Sequence, residues 1–299
     1  MTPTSTPMTA APSTPVLRPT AEAAAFGPDR VDEIVECFRA NGFVVIRGLL
    51  DPAELEAITA ECTDAQARLM EGRLDEHHGT TVLIEDDHDG PVEAANYVSY
   101  VNQLSPAVAA AIRHPALVPL VEAILGPDPW LLDDQRFGFV YQDARPGRES
   151  AYTRIGWHAD WQSGPNLDIW PSVALTIHID GTSPANGFLR VVPGSQRWAT
   201  PAPHRNANDA VVPDGSMESA GYTSEPPPFE MPLGFEAIPG EIALYAQEGD
   251  VLLHDAYVWH AAARGTDDTT RRRHVRGHWC TGDRLVDDDI GQFVKNAAR

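Results

Sequence analysis

From Trp130 onward the chain is a succession of short β-rich runs, at 130–141, 153–157, 170–180, 188–192, 242–245, 251–259 and 273–280, separated by turn residues. Strands so short and so numerous cannot bury their apolar faces one at a time. They do it by closing into a sandwich or barrel. The 299 residues suit one large domain, or one domain with appendages, and suffice for a substantial core.

The part before Trp130 has a different period. Val31, Ile34, Val35 and Phe38 recur at helical spacing, and Asn41-Gly42 can close that helix. Phe43–Leu49 reads as a buried strand. Asp51-Pro52-Ala53-Glu54 is a helix start, with Asp as N-cap, Pro at the first position and Glu at the third. Leu55, Ile58, Cys62 and Leu69 give that helix its inner stripe. A further helix starts at Ser105-Pro106, is interrupted at His114-Pro115, and shows Val118, Val121, Ile124 and Leu125 on one face before Gly126 stops it. These helices are expected on the outside of one sheet, which gives a mainly β fold with flanking α-helices.

Residues 1–24 are rich in Thr, Pro, Ser and Ala and are expected to be a flexible tail. Residues 25–299 are then a single domain, with a helical part at 25–127 and a β core at 128–285. The segment 200–240 holds eight of the 26 prolines and is read as an insert or lid. No internal repeat is visible.

Composition narrows the partners. The formal charge is −21, from 43 acidic and 22 basic residues, and such a surface repels nucleic acid and anionic membrane. No apolar run approaches the ~18 residues of a membrane span. The N-terminus lacks a basic region followed by an apolar stretch, so no secretory signal is expected. Cys37, Cys62 and Cys280 lie far apart without CxxC spacing, which argues against a disulfide framework or a structural zinc site and for a reducing, cytoplasmic location. The partner expected is a small molecule. One basic run, Arg271-Arg272-Arg273-His274-Val275-Arg276, stands out in so acidic a chain.

The chemistry concentrates in Gly156-Trp157-His158-Ala159-Asp160-Trp161, at the end of a predicted strand. His158 and Asp160, two apart on an extended chain, point to one face and can bind one metal together. His260, closing the run Asp250–His260, is the best third ligand; His254 in the same run is its rival. Two His and one carboxylate on one face of an octahedron leave three positions open, the arrangement of oxygen-activating iron(II) enzymes. Arg271 follows His260 by eleven residues, and its forked guanidinium suits a carboxylate. Zinc also uses His and carboxylate ligands, but a zinc-dependent hydrolase or isomerase leaves Arg271 without a task. A non-catalytic binding protein leaves the whole set without one.

The ordered motifs resemble the phytanoyl-CoA dioxygenase family, which includes ectoine hydroxylase. The matching pieces are Gly42–Leu50 (GFVVIRGLL), Trp157-His158-Ala159-Asp160, Ala185–Ser195 (ANGFLRVVPGS), Gly249–His254 (GDVLLH), and His260 with Arg271. The resemblance covers about residues 30–280. It implies a double-stranded β-helix, a cupin-like jelly-roll, with iron(II) at His158, Asp160 and His260. It further implies 2-oxoglutarate held by Arg271, with Thr176 and Gln135 as further co-substrate contacts, and dioxygen as oxidant. Asn96 lies in a segment that often lines the pocket of this family. Trp161 and Trp170, which flank the ligand motif, are either core residues or an aromatic wall for substrate. The chain departs from the family at Gln196, Ala262 and Gly265, none of which is an expected metal ligand. Halogenating relatives replace the carboxylate with Gly or Ala, so Asp160 points to oxygenation. Hydroxylation of a small metabolite or biosynthetic intermediate is the expected outcome, with 2-oxoglutarate converted to succinate and CO2. Desaturation, cyclisation, epoxidation and epimerisation are the alternatives that the same cofactors allow.

Overall fold

The computed structural model describes residues 21–84, 92–132, 138–143, 155–158, 172–197, 237–263, 265–267 and 270–281. Within them the helices are α1 (Val31–Asn41), α2 (Pro52–Met70), α3 (Val101–Leu104), α4 (Pro106–Ala111) and α5 (Val118–Leu125). The early strands are β1 (Ala25–Phe26), β2 (Phe43–Ile46), β3 (Gly79–Ile84), β4 (Val92–Val98) and β5 (Trp130–Leu131). There follow β6 (Gly138–Asp143), β7 (Ile155–His158), β8 (Ser172–His178) and β9 (Phe188–Val191). The last are β10 (Ile242–Leu244), β11 (Val251–Asp255), β12 (His260–Ala263) and β13 (Arg271–Cys280). The expected tail ends in a 3₁₀ turn, Ala21–Ala24, with Ala24 buried. Residues 1–20 and most of 200–240 lie outside the described residues.

The local signals act as their chemistry requires. Gly42 caps α1 at φ 80° and turns the chain into β2, where a Cβ would stand 2.6 Å from Gln196 Oε1. Asp51 accepts from the backbone of Ala53 and Glu54, and Glu54 accepts from the Asp51 N–H, completing a capping box. Ser105 caps α4 by accepting from Val108 N at 3.0 Å.

Two sheets result. The larger runs β1-β2-β11-β8-β13-β6-β4-β3, with β5 beside β13; the smaller runs β10-β9-β12-β7. Among the described residues every strand pairing is antiparallel except β1 with β2. The central strands β2, β8, β11 and β13 alternate between two faces. Val44, Ile46, Leu175, Ile177, Leu253 and Val275 join the helix-side core with Ile34, Ile58 and Leu120. Phe43, Val45 and Leu252 turn the other way and meet Val191, Leu244 and Val258 of the smaller sheet and its approach. Trp157, Trp259 and Ala261 cluster on the far side of the smaller sheet. The molecule is thus three layers deep: helices, larger sheet, smaller sheet.

Two expectations need correction. The run 251–259 is not one strand. The Asp255 side chain accepts from Tyr257 N at 2.8 Å and its carbonyl from Val258 N at 3.0 Å, so the chain turns there. His260 therefore opens a new strand in the other sheet. The part 25–127 also holds more strand than the expected run at Phe43–Leu49, since β3 and β4 join β2 in the larger sheet. Thr80-Thr81-Val82 beside an acidic stretch conceals the β3 signal. No helix among the described residues is long and apolar enough to cross a membrane.

Candidate active site

Alternation defines an inward face between the sheets. On β11 the helix-side residues are Val251 and Leu253, so Leu252 and His254 face inward. On β8 the same parity turns Ala174, Thr176 and His178 inward. On β13, Val275 and Trp279 lie in the helix-side core, which leaves Arg272, His274, Arg276 and His278 on the inward face. On β12, Ala261 packs outward, so His260 faces in. The inward face therefore runs from apolar near β2 to polar along β8 and β13, where His178, Arg272 and His274 are buried and Arg276 is exposed.

His260 is buried, at 5% exposure. Its Nδ1 lies 3.0 Å from the Val258 carbonyl oxygen. A ring nitrogen facing a carbonyl must carry the proton, so the lone pair belongs to Nε2. The turn that delivers His260 is held from elsewhere in the chain. Ser195 Oγ accepts from Trp259 N at 2.8 Å and donates to Val192 O at 2.6 Å. The Val192-Pro193-Gly194-Ser195 motif thus fixes the backbone one residue before the candidate ligand. The register of β7 and β12 sets His158 directly opposite His260. His254, the rival ligand, has Phe43 and Ala174 as its register partners, and its ring centroid is 4.6 Å from that of His260.

The basic run meets the interior through Arg272 rather than Arg271. Arg271 is exposed, at the first position of β13, opposite Asp143. Arg272 is buried, at 3% exposure, with Nη1 3.4 Å from where a Gly187 Cβ would be. The parity is pinned on both sides. Arg273 points to the helix layer and donates to both carboxylate oxygens of Asp180, each at 2.8 Å. Asn186 Nδ2 donates to the carbonyls of Gly181 and Arg271, at 2.7 and 3.0 Å. Gly187, at φ 86°, cannot carry a side chain, because a Cβ would stand 2.6 Å from Ala263 O. Ala185-Asn186-Gly187 is therefore the clamp that positions Arg272.

Two histidines share that neighbourhood. Burial, and then the Arg272 cation, push His178 down to about 3. His274 is held well below its ordinary range by burial first, then by Arg272, His178 and Arg276. Both are neutral at physiological pH.

Thr176 is half-buried on the inward face, with Leu252 and Arg276 as register partners. Asn96 stands in β4, which β6 separates from β13. Gln135, Asp160, Trp161 and Trp170 lie outside the described residues. Among the described residues no three metal-ligating side chains gather. Sequence reasoning did not assign the roles of Arg272, Ser195 and Asn186. The signal for the first was strand alternation, which needs the register; for the others it was the quoted motif itself.

The family model for phytanoyl-CoA dioxygenase matches residues 38–274. Ectoine dioxygenase of Nocardia farcinica is 30% identical over 181 residues, covering 58% of this chain and 55% of that relative. Among solved structures, the α-ketoglutarate-dependent epimerase SnoN from nogalamycin biosynthesis superposes with a TM-score of 0.59 at 18% identity, over 85% of this chain and 84% of that one. EctD from S. alaskensis, determined with 2-oxoglutarate and 5-hydroxyectoine, gives 0.56 at 16% identity, over 83% and 74%. At such identities these likenesses establish a shared fold.

Proposed function

This chain belongs to the phytanoyl-CoA dioxygenase family, and we propose that it is an iron(II)- and 2-oxoglutarate-dependent dioxygenase that hydroxylates a small metabolite. The observation that carries this reading is His260: an inward imidazole, buried, with its Nδ1 committed to a carbonyl, opposite His158 and in the same interior as a buried arginine. That is the donor chemistry an iron(II) ligand needs. Two stacked antiparallel sheets with these neighbours read as a jelly-roll core.

His158, Asp160 and His260 would hold the metal. Arg272 would receive the distal carboxylate of 2-oxoglutarate, with Thr176 on the same face. The chemistry such a centre supplies is the oxidation of a substrate C–H bond by dioxygen while 2-oxoglutarate is split to succinate and CO2. This chain contributes the positions. The Ser195 and Val258 contacts fix the His260 ring. The Asp180 and Asn186 contacts fix the strand that carries Arg272. A guanidinium held between two sheets, away from bulk water, attracts a carboxylate far more strongly than one at the surface. The same centre can desaturate, cyclise, epoxidise or epimerise, and the seat of the substrate carbon decides which.

The test is succinate release by the anaerobically reconstituted protein given iron(II), 2-oxoglutarate and then air. Iron-dependent succinate that disappears in His158→Ala and His260→Ala supports the reading. Iron bound without succinate, across a broad set of metabolites, would move the chain to a zinc-type hydrolase or isomerase or to a silent binding fold.

A further inference from the structure

Two inward groups have no task in the reading above. His178 on β8 and His274 on β13 are direct register partners, with ring centroids 6.1 Å apart at 37°. They are 3% and 6% exposed. The Nδ1 of each is buried without a hydrogen-bond partner. Buried polar atoms are nearly always satisfied. Two adjacent exceptions, on one face and in the field of one arginine, mark a place that a polar ligand completes.

We propose that His178 and His274 are co-substrate-binding residues, whose Nδ1–H groups flank Arg272 and grip the distal carboxylate of 2-oxoglutarate. This rests on the oxygenase reading and specifies the far end of its pocket. The charges favour it. A carboxylate accepts about four hydrogen bonds, of which a guanidinium fork supplies two. Two further donors are needed, and they must be neutral. Protonated imidazoles beside Arg272 would place three cations against one anion in a dry interior. Burial and the arginine keep both rings neutral, so one carboxylate and one guanidinium balance. The same arrangement gives selectivity. A 2-oxo acid that ends in a methyl group leaves both imidazole Nδ1 groups unmet, and a polar site left unmet discriminates strongly.

The test uses the full chain loaded anaerobically with Mn(II). Affinities are measured by calorimetry for 2-oxoglutarate and for 2-oxobutanoate, which keeps the chelating end and lacks the distal carboxylate. His178→Phe and His274→Phe keep a ring and remove the donor. His178→Asn and His274→Asn restore an amide N–H near the Nδ1 position. The Phe variants are expected to bind 2-oxoglutarate at least tenfold more weakly, to bind 2-oxobutanoate within twofold of the parent, and to be largely rescued by Asn. Should a Phe variant fail to fold, Ala against Asn at that position makes the same comparison. Unchanged affinity for 2-oxoglutarate, or equal weakening for both acids, would overturn the assignment of the histidines while leaving the oxygenase reading intact. A parent protein that binds no 2-oxoglutarate would overturn that reading itself, and this proposal with it.

Discussion

Alternation along β13 separates Arg272 from its neighbour Arg271, with opposite consequences. A buried, charge-assisted contact to a carboxylate contributes about 1.5–3 kcal/mol, equivalent to roughly 10- to 150-fold in affinity. Arg272→Gln should therefore raise the KM for 2-oxoglutarate by at least about tenfold, while Arg271→Gln, at an exposed position, should change it less than about twofold. Steady-state kinetics on the two variants checks this, and the reverse order would restore Arg271 as the anchor. The two buried histidines make a separate, thermodynamic prediction. Their folded-state pKa values lie below the ordinary ~6.5, that of His178 at about 3. Between those limits the unfolded chain takes up protons that the folded chain refuses. Stability is thus complete above pH ~6.5 and declines as pH falls toward 3, by up to about 1.4 kcal/mol per pH unit for each histidine. Urea midpoints at pH 7.5, 6 and 5 should fall more steeply for the parent than for a His178→Asn, His274→Asn double variant. Equal slopes would mean that these rings are not the groups excluded from protonation.

Among the elements, the turn between β11 and β12 matters most to the site. Trp259 N is buried, and its acceptor is Ser195 Oγ. Ser195→Ala leaves that donor unmet, which costs about 1–3 kcal/mol. The variant should also loosen His260, so iron(II) affinity is expected to drop together with the melting temperature. By contrast Asp51→Ala, which removes the α2 cap far from the site, should cost about 1 kcal/mol and leave iron affinity unchanged. Calorimetry of metal binding on both variants separates a positioning element from a merely stabilising one. The elements also show what was legible. The Asp51 cap, the Gly42 stop and the Ser105 cap are local chemistry, and the sequence states them outright. The break at Asp255 was hidden because Val251–Trp259 contains no Gly or Pro to mark a turn, and only the Asp255 side chain and carbonyl reveal it. β3 was hidden because its short Thr/Val run adjoins acidic residues, and its pairing with β4 is a tertiary fact.

At the scale of the molecule, three arginine–carboxylate pairs align the sheets. Arg47 forks onto buried Asp250, with both contacts at 3.0 Å, and ties β2 to the start of β11. Arg190 pairs with Glu241 beside β10, and Arg273 with Asp180 beside β13. These pairs hold strand ends in register, which keeps the inward parity of both sheets. That explains why candidate donors were readable as residue types in order, His158, Asp160 and His260, whereas the partner arginine was not: spacing counts residues, and a strand's facing depends on register. The central claim is that dioxygen is consumed at an iron site by splitting 2-oxoglutarate. The most direct measurement is mass analysis of succinate formed by iron(II)-loaded protein under ¹⁸O₂. The account predicts iron-dependent succinate carrying one heavy oxygen atom, abolished in His260→Ala. Succinate without the label, or none from protein with iron bound, would contradict it.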